Sequence, residues 1–320
     1  MRNEQQEDDS DGTGSVPPRS LRAPGRALRG LLLLLLAAGS PLMAAAAGSA
    51  AQGSIQTLTI HRNIAWSGAA LPDGRGLLDI HVPEGARSAP VVLFVHGGGL
   101  LAGDKALAAH IGLRLAREGF ITVNVNHRLS PAVRHPVHVQ DAAAATGWVL
   151  EHIADYGGDP DRVVLSGHSS GGYLVGLLST EQRWLAEAGV GREQLRGIAP
   201  ISGFFHVERL APERPKSVWG EDPARWPLAS PAAHVDARVP PTLLIWADGD
   251  DDARRQENID FAAALEAAGV EDVETLVAEA RDHRSIFFLM GTPGDATTEA
   301  LIGFVRRVAA DELAAGEAQG

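Results

Sequence analysis

The chain has 320 residues, 45% of them hydrophobic, enough to bury the core of one large α/β domain or two modest ones. It contains no cysteine, which excludes disulfides, thiolate metal sites and a cysteine nucleophile. A formal net charge of −12 argues against nucleic acid as a partner.

Residues 1–52 differ in composition from the remainder. They are polar and rich in glycine and proline at first, acidic as far as Asp11, then basic through Arg19, Arg22, Arg26 and Arg29. An apolar run, Leu31–Ala38, follows, and after it come small residues with Ala-x-Ala sites between Ala44 and Ala51. A basic flank, a short apolar core and small-residue cleavage sites describe a secretory signal peptide with a long polar leader. The alternative, a retained anchor, fits less well. The run falls short of the roughly 20 apolar residues that span a bilayer, and Gly39, Ser40 and Pro41 interrupt it. The expectation is export, cleavage near residue 52, and no stable membrane insertion afterwards.

From residue 53 onward, apolar runs alternate with helical patterns over what reads as a single domain, 53–320. "PVVLFVH" (90–96) is short, β-branched and unalternating, as expected of a strand buried on both faces. A helix is expected over 105–119, a strand over 120–128 and a second, alanine-rich helix over 138–157, with Gly119 and Gly157 closing the helices. Asp159-Pro160-Asp161 reads as a turn into the strand "DRVVLSG" (161–167), after which "GGYLVGLLST" (171–180) opens a helix. Further strands are expected over 195–203, 241–249 and 273–280, with helices over 254–270 and 298–315. The segment 204–240, with its prolines, Trp219 and Trp226, breaks the rhythm and reads as a short cap-like insertion over the C-terminal edge of the sheet. The fold class is α/β, a mostly parallel central sheet with helices on both faces.

The string Gly167-His168-Ser169-Ser170-Gly171 fits G-x-S-x-G between a strand and a helix, the tight turn that exposes a nucleophilic serine. His96-Gly97-Gly98-Gly99 follows a buried strand, and such glycines let backbone N–H groups face a ligand. Gly98 and Gly99, with the N–H of Ser170, are therefore candidate oxyanion donors. A serine needs a base, and the base an orienting acid, each on a loop after a later strand. His283 occupies the loop after 273–280, and "DGDDD" (248–252) follows the strand before it. Asp250, just ahead of the next helix, is preferred as the acid, with Asp248 the competitor. Asp251 and Asp252 suit a helix N-cap and first turn. His96 is expected to brace the oxyanion loop and His168 to pack beside the nucleophile. Ser166 is expected to be a packed core residue, and the hydroxyl of Ser170 to matter little. His127, His135 and His138 cluster after the second strand without the helical spacing of a metal site.

With these residues in place, the chain resembles the α/β-hydrolase superfamily. It looks most like its small bacterial carboxylesterases, related to hormone-sensitive-lipase-like, feruloyl-esterase-like and kynurenine-formamidase-like proteins. The resemblance runs over roughly 90–308 and includes "LFVHGGGLLAGDK", "VNVNHRLSP", "DPDRVVLSGHSSGGYL", "PISGFF" and "RDHRSIFFLMG". It implies Ser169 as nucleophile, Asp250 as acid, His283 as base, and Gly98, Gly99 and Ser170 as oxyanion donors. It also implies small acyl esters as substrates and no cofactor or metal. Leu100, His127 and the pair Trp246-Ala247 depart from the family pattern around the pocket. An amide hydrolase such as an arylformamidase would use the same residues. A binding protein on the same scaffold would be expected to have lost one of them.

Overall fold

The computed structural model of the chain describes residues 57–68, 71, 73–210 and 213–310. The expected signal peptide and the end of the last expected helix lie outside the described residues. Eight strands form one sheet: β1 (Leu58–Ala65), β2 (Leu77–Pro83), β3 (Ala89–Val95), β4 (Ile121–Val125), β5 (Gly158–His168), β6 (Leu195–Ile201), β7 (Thr242–Ala247) and β8 (Val273–Ala278). Their order is β1-β2-β4-β3-β5-β6-β7-β8. β2 is antiparallel to both of its neighbours, and every pairing from β4 to β8 is parallel.

The helices are α1 (Ala109–Arg117), α2 (Val137–His152), α3 (Ser170–Thr180), α4 (Arg183–Glu187), α5 (Glu213–Trp219), α6 (Asp252–Ala267), α7 (Ser285–Phe288) and α8 (Ala296–Val308). Strand alternation sends Val91, Leu93 and Val95 of β3 to one face, where side chains of α2, α3 and α6 close a core. Val92 and Phe94 face the other side, against α1 and α8. A strand buried on both faces has no polar face to display, and this is why β3 reads as an unbroken apolar run.

Several expectations need correction. β1 and β2 were not anticipated from the sequence. β1 is largely exposed and polar, and β2 carries Asp79 and His81 inward. Asp79 is held by Lys105 Nζ at 2.7 Å, an ion pair between residues far apart in sequence that hides the strand's hydrophobic pattern. The helix expected over 105–119 begins as a single 3-10 turn, Lys105–Ala108, capped by Asp104, before α1 takes over. Asp159-Pro160-Asp161 is the first part of β5, although Asp161 N does donate to Asp159 Oδ1 at 3.0 Å, as a turn would. Gln182 opens a short helix, α4, that was also unforeseen.

The 204–240 segment contains α5 and four of the molecule's 3-10 turns, and it docks on α3 through a buried relay. Trp219 Nε1 donates to the Tyr173 hydroxyl at 2.9 Å, and that hydroxyl donates to Ala229 O at 2.9 Å. The Tyr173 ring stacks on Phe204, with centroids 4.6 Å apart. Tyr173→Phe keeps the packing but leaves the indole N–H and the carbonyl without partners. The expected loss is about 1–3 kcal/mol of unfolding free energy. Urea denaturation of the two proteins measures it, and an unchanged midpoint would mean that the relay carries no load.

Candidate active site

At the end of β5 the chain turns sharply into α3, and Ser169 is the turning residue, with φ 55° and ψ −116°. Few non-glycine residues adopt this backbone, which costs of order 1–3 kcal/mol. The turn is held by Ser169 N donating to Ile201 O at 2.8 Å and by Tyr173 N donating to Ser169 O at 3.0 Å. The flanking glycines answer to space: a Cβ on Gly171 would lie 2.1 Å from Val95 O, and one on Gly167 would lie 2.7 Å from Gly171. G-x-S-x-G is therefore a packing requirement here as much as a conformational one.

The structure brings Ser169, His283 and Asp250 into one hydrogen-bonded line. Ser169 Oγ lies 2.9 Å from His283 Nε2, and His283 Nδ1 lies 2.7 Å from Asp250 Oδ1. A carboxylate only accepts, so Nδ1 carries the proton and Nε2 is free to accept from the serine. Asp250 is buried. Its second oxygen accepts from Ser202 Oγ at 2.6 Å and from Ala247 N at 3.1 Å. Burial pushes its carboxyl up, but the bonds from His283 and Ser202 outweigh that and hold it below the usual aspartate range. Ser202 lies inside the "PISGFF" string, but nothing in that string marks it as the acid's second partner.

Asp248 is exposed and does different work. It accepts from the backbone N–H groups of Ala280 and Arg281 at 2.9 and 3.0 Å, and Gly249 N donates to Arg281 O at 2.9 Å. The loop after β7 is thereby stitched to the loop that carries His283. Asp251 is the N-cap of α6, accepting from Arg254 N at 2.8 Å, and Asp252 sits in the first turn of that helix.

His96-Gly97-Gly98-Gly99 wraps beside the serine. Gly98 has φ 126°, and a Cβ there would meet Ala102 O at 2.1 Å, so no other residue fits. The N–H groups of Gly98, Gly99 and Ser170 donate to no backbone or side-chain acceptor among the described residues, as expected of donors that await a ligand. The Ser170 hydroxyl is less idle than expected: Leu100 N donates to it at 3.3 Å, tying this loop to the turn. Ser166 is buried and donates to Ala199 O at 2.8 Å.

His168 Nε2 lies 2.9 Å from the carbonyl oxygen of His283, so the ring donates there and clamps the loop that holds His283. His96 donates from Nδ1 to Gly97 O at 2.8 Å and stacks on His127, with centroids 4.6 Å apart. His138 meets Ser130 Oγ at 3.1 Å, and His135 packs edge-on against Trp184. No group of metal-ligating side chains is found among the described residues. A cavity of about 950 Å³ opens onto Ser169 and His283, walled by Leu101, Leu107 and Phe288 and, from α5 and α6, by Arg214 and Arg254. The two arginines were not singled out in the sequence, where they look like ordinary helix-surface charges.

Residues 78–192 match the family model BD-FAE. Esterase LipQ of Mycobacterium tuberculosis is 31% identical over 235 residues, covering 67% of this chain and 56% of that protein. A probable isoprenylcysteine alpha-carbonyl methylesterase of Arabidopsis thaliana, ICMEL1, is 28% identical over 238 residues, covering 67% and 49%. The chain thus spans about half the length of the curated relatives it matches. Among solved structures, esterase B of Lactobacillus rhamnosis superposes with a TM-score of 0.71 at 21% identity, covering 81% of this chain and 89% of that one. At that identity the likeness speaks for the fold.

Three of the surrounding histidines share an electrostatic property. Burial, reinforced by a neighbouring imidazole, pushes His96, His138 and His168 from the ordinary 6.5 down to about 3. Folded, they stay neutral; unfolded, they take up protons below pH 6.5. Their contribution is constant above that value, and stability then falls as pH drops from 6.5 toward 3. The limiting slope is about 4 kcal/mol per pH unit if all three titrate only in the unfolded chain. Urea midpoints at pH 7, 6 and 5 should fall steeply, whereas a flat profile would show that these rings protonate within the fold.

Proposed function

The chain belongs to the α/β-hydrolase superfamily, and from that premise we propose that it is a serine carboxylesterase acting on small acyl esters. The observation that carries the reading is the unbroken line from Ser169 Oγ through His283 to a buried, ionised Asp250, with the serine on a strained turn. The esterase names of its relatives support it.

In this mechanism Ser169 Oγ attacks the ester carbonyl while His283 Nε2 takes its proton. The carbonyl oxygen becomes an oxyanion and is met by the N–H groups of Gly98, Gly99 and Ser170. Asp250 keeps His283 in the tautomer that can accept and stabilises the imidazolium that forms. The protonated imidazole then gives its proton to the departing alcohol. Water, activated by the same histidine, releases the acid from the acyl-enzyme and regenerates the serine. The 204–240 segment acts as a cap, since Glu213, Arg214 and Ser217 of α5 line the cavity above the serine. The composition of residues 1–52 supports export, which fractionation of cells expressing the full chain would test.

Ester hydrolysis should be read with phenyl butyrate, in parallel with an N-formyl aryl amine. Ser169→Ala should lose essentially all turnover of the ester. Retention of wild-type rates would remove Ser169 from its role, and efficient formamide cleavage with negligible ester cleavage would replace the esterase reading. Asp250→Asn should lower kcat by about 10³–10⁴-fold, because the amide favours the wrong imidazole tautomer. Asp248→Asn, which only loosens the stitch between two loops, should cost about tenfold or less. A larger loss at Asp248 would reverse the assignment.

A further inference from the structure

The cavity beside Ser169 carries charge that ester hydrolysis as such does not require. Arg214 of α5 and Arg254 of α6 both line it. Arg254 is only 8% exposed, and its Nη1 is buried without an acceptor among the described residues. Nearby arginines are paired: Arg209 with Glu257 and Asp260, and Arg255 with Asp252. Neither Arg214 nor Arg254 has an ion-pair partner among the described residues, in a chain with 40 acidic side chains against 28 basic ones. Two carboxylates share the cavity wall, but Glu213 is exposed and Asp251 caps α6 by accepting from Arg254 N.

Both guanidinium carbons lie over the ring of buried Phe204, Arg214 at 5.6 Å and Arg254 at 5.2 Å from its centroid. Such contacts offset only part of the cost of burying a cation. Burial, and for Arg254 also the charge of Arg214, pulls the pKa of each below the ordinary arginine value, and for Arg254 this outweighs the opposite pull of Asp250, Asp251 and Glu257. The pair also sits close to the reacting centre. A Cβ on Gly99, a candidate oxyanion donor, would lie 2.9 Å from an Nη of Arg214. Two adjacent planar forks of donors, Arg254 buried and Arg214 half-buried, neither with an acceptor among the described residues, match a carboxylate. Leu101, Leu107 and Phe288, all exposed in the same cavity, match a hydrocarbon group.

We propose that the substrate is an amphipathic ester bearing a carboxylate near the scissile carbonyl, bound by Arg214 and Arg254. The proposal rests on the esterase reading of the same cavity. It adds a substrate class, acid esters with an apolar remainder, and two specificity-determining residues.

The test compares kcat/KM for phenyl butyrate, monophenyl glutarate and 4-carboxyphenyl butyrate, which are neutral, acidic on the acyl side and acidic on the alcohol side. At least one acid ester should exceed the neutral ester by about tenfold or more. In Arg254→Gln and in Arg214→Gln the acid-to-neutral ratio should fall toward one, chiefly through KM, and Arg254→Lys should restore part of it. Circular dichroism checks folding, and Arg214, the less buried of the two, serves if Arg254→Gln does not fold. A wild-type ratio at or below one overturns the proposal. So does a ratio left unchanged by the variants because both ester types decline together, which would make the arginines part of the reaction's own oxyanion site. If no ester is cleaved, the esterase reading fails by itself, and calorimetric binding of glutarate then decides. Binding that is lost in the arginine variants sustains the carboxylate site, and no binding ends it.

Discussion

Everything in the site is organised around one backbone conformation. Ser169 is held at positive φ between the buried end of a strand and a buried helix, so its side chain projects from the end of the sheet. The strain is local, but its support is not. It comes from Ile201 on the neighbouring strand, from Val95 pressing on Gly171, and from α3, which is buried along its whole length. A turn so expensive persists only where packing on several sides over-determines it.

Once the serine is fixed, His283 must be delivered to it from a loop more than a hundred residues downstream. Two devices do this through the backbone of that loop. His168 grips the carbonyl of His283 itself, so the residue preceding Ser169 also positions His283. Asp248 and Gly249 then bind the backbone of 280–281, which sets the distance between the acid's loop and the base's loop. The run of aspartates is thus not redundant. Asp248 joins loops, Asp250 accepts from the His283 imidazole, Asp251 caps α6, and Asp252 sits where the helix dipole favours a negative charge.

What could be read from the sequence follows the same division. Strands buried on both faces, such as β3 and the 163–168 half of β5, announce themselves because burial alone dictates their composition. β1 and β2 do not, since one is an exposed edge and the other hides Asp79 behind a lysine supplied by a different element. That Ser169 and His283 lie on loops after strands, where they can meet, was legible as a local signal. Asp248 and Asp250, two residues apart, were not separable in that way, because the difference between them is the direction in which each side chain leaves the loop. Ser202, Arg214 and Arg254 were illegible for a stronger reason. Their significance lies in which partners they have or lack, and partnership is a property of the tertiary structure.

That last point sets the donors of the site apart from its acceptors. Asp250, the buried acceptor, is saturated by His283, Ser202 and the backbone of Ala247. The donors are not: the Gly98 and Gly99 amides and two guanidinium groups line the cavity without acceptors among the described residues, and the amide of Ser170 at the start of α3 also has none. Unsatisfied donors at low dielectric are costly, and here they gather in one place within an acidic chain. Such a site favours negative charge in two forms. One is transient, the oxyanion that exists only while the carbonyl is tetrahedral. The other is permanent, carried in by the substrate before reaction. The amides can serve the first without discriminating among esters, because every ester generates it. On the proposed esterase reading the arginines serve the second, and with the apolar wall they give the cavity a means of choosing one ester over another.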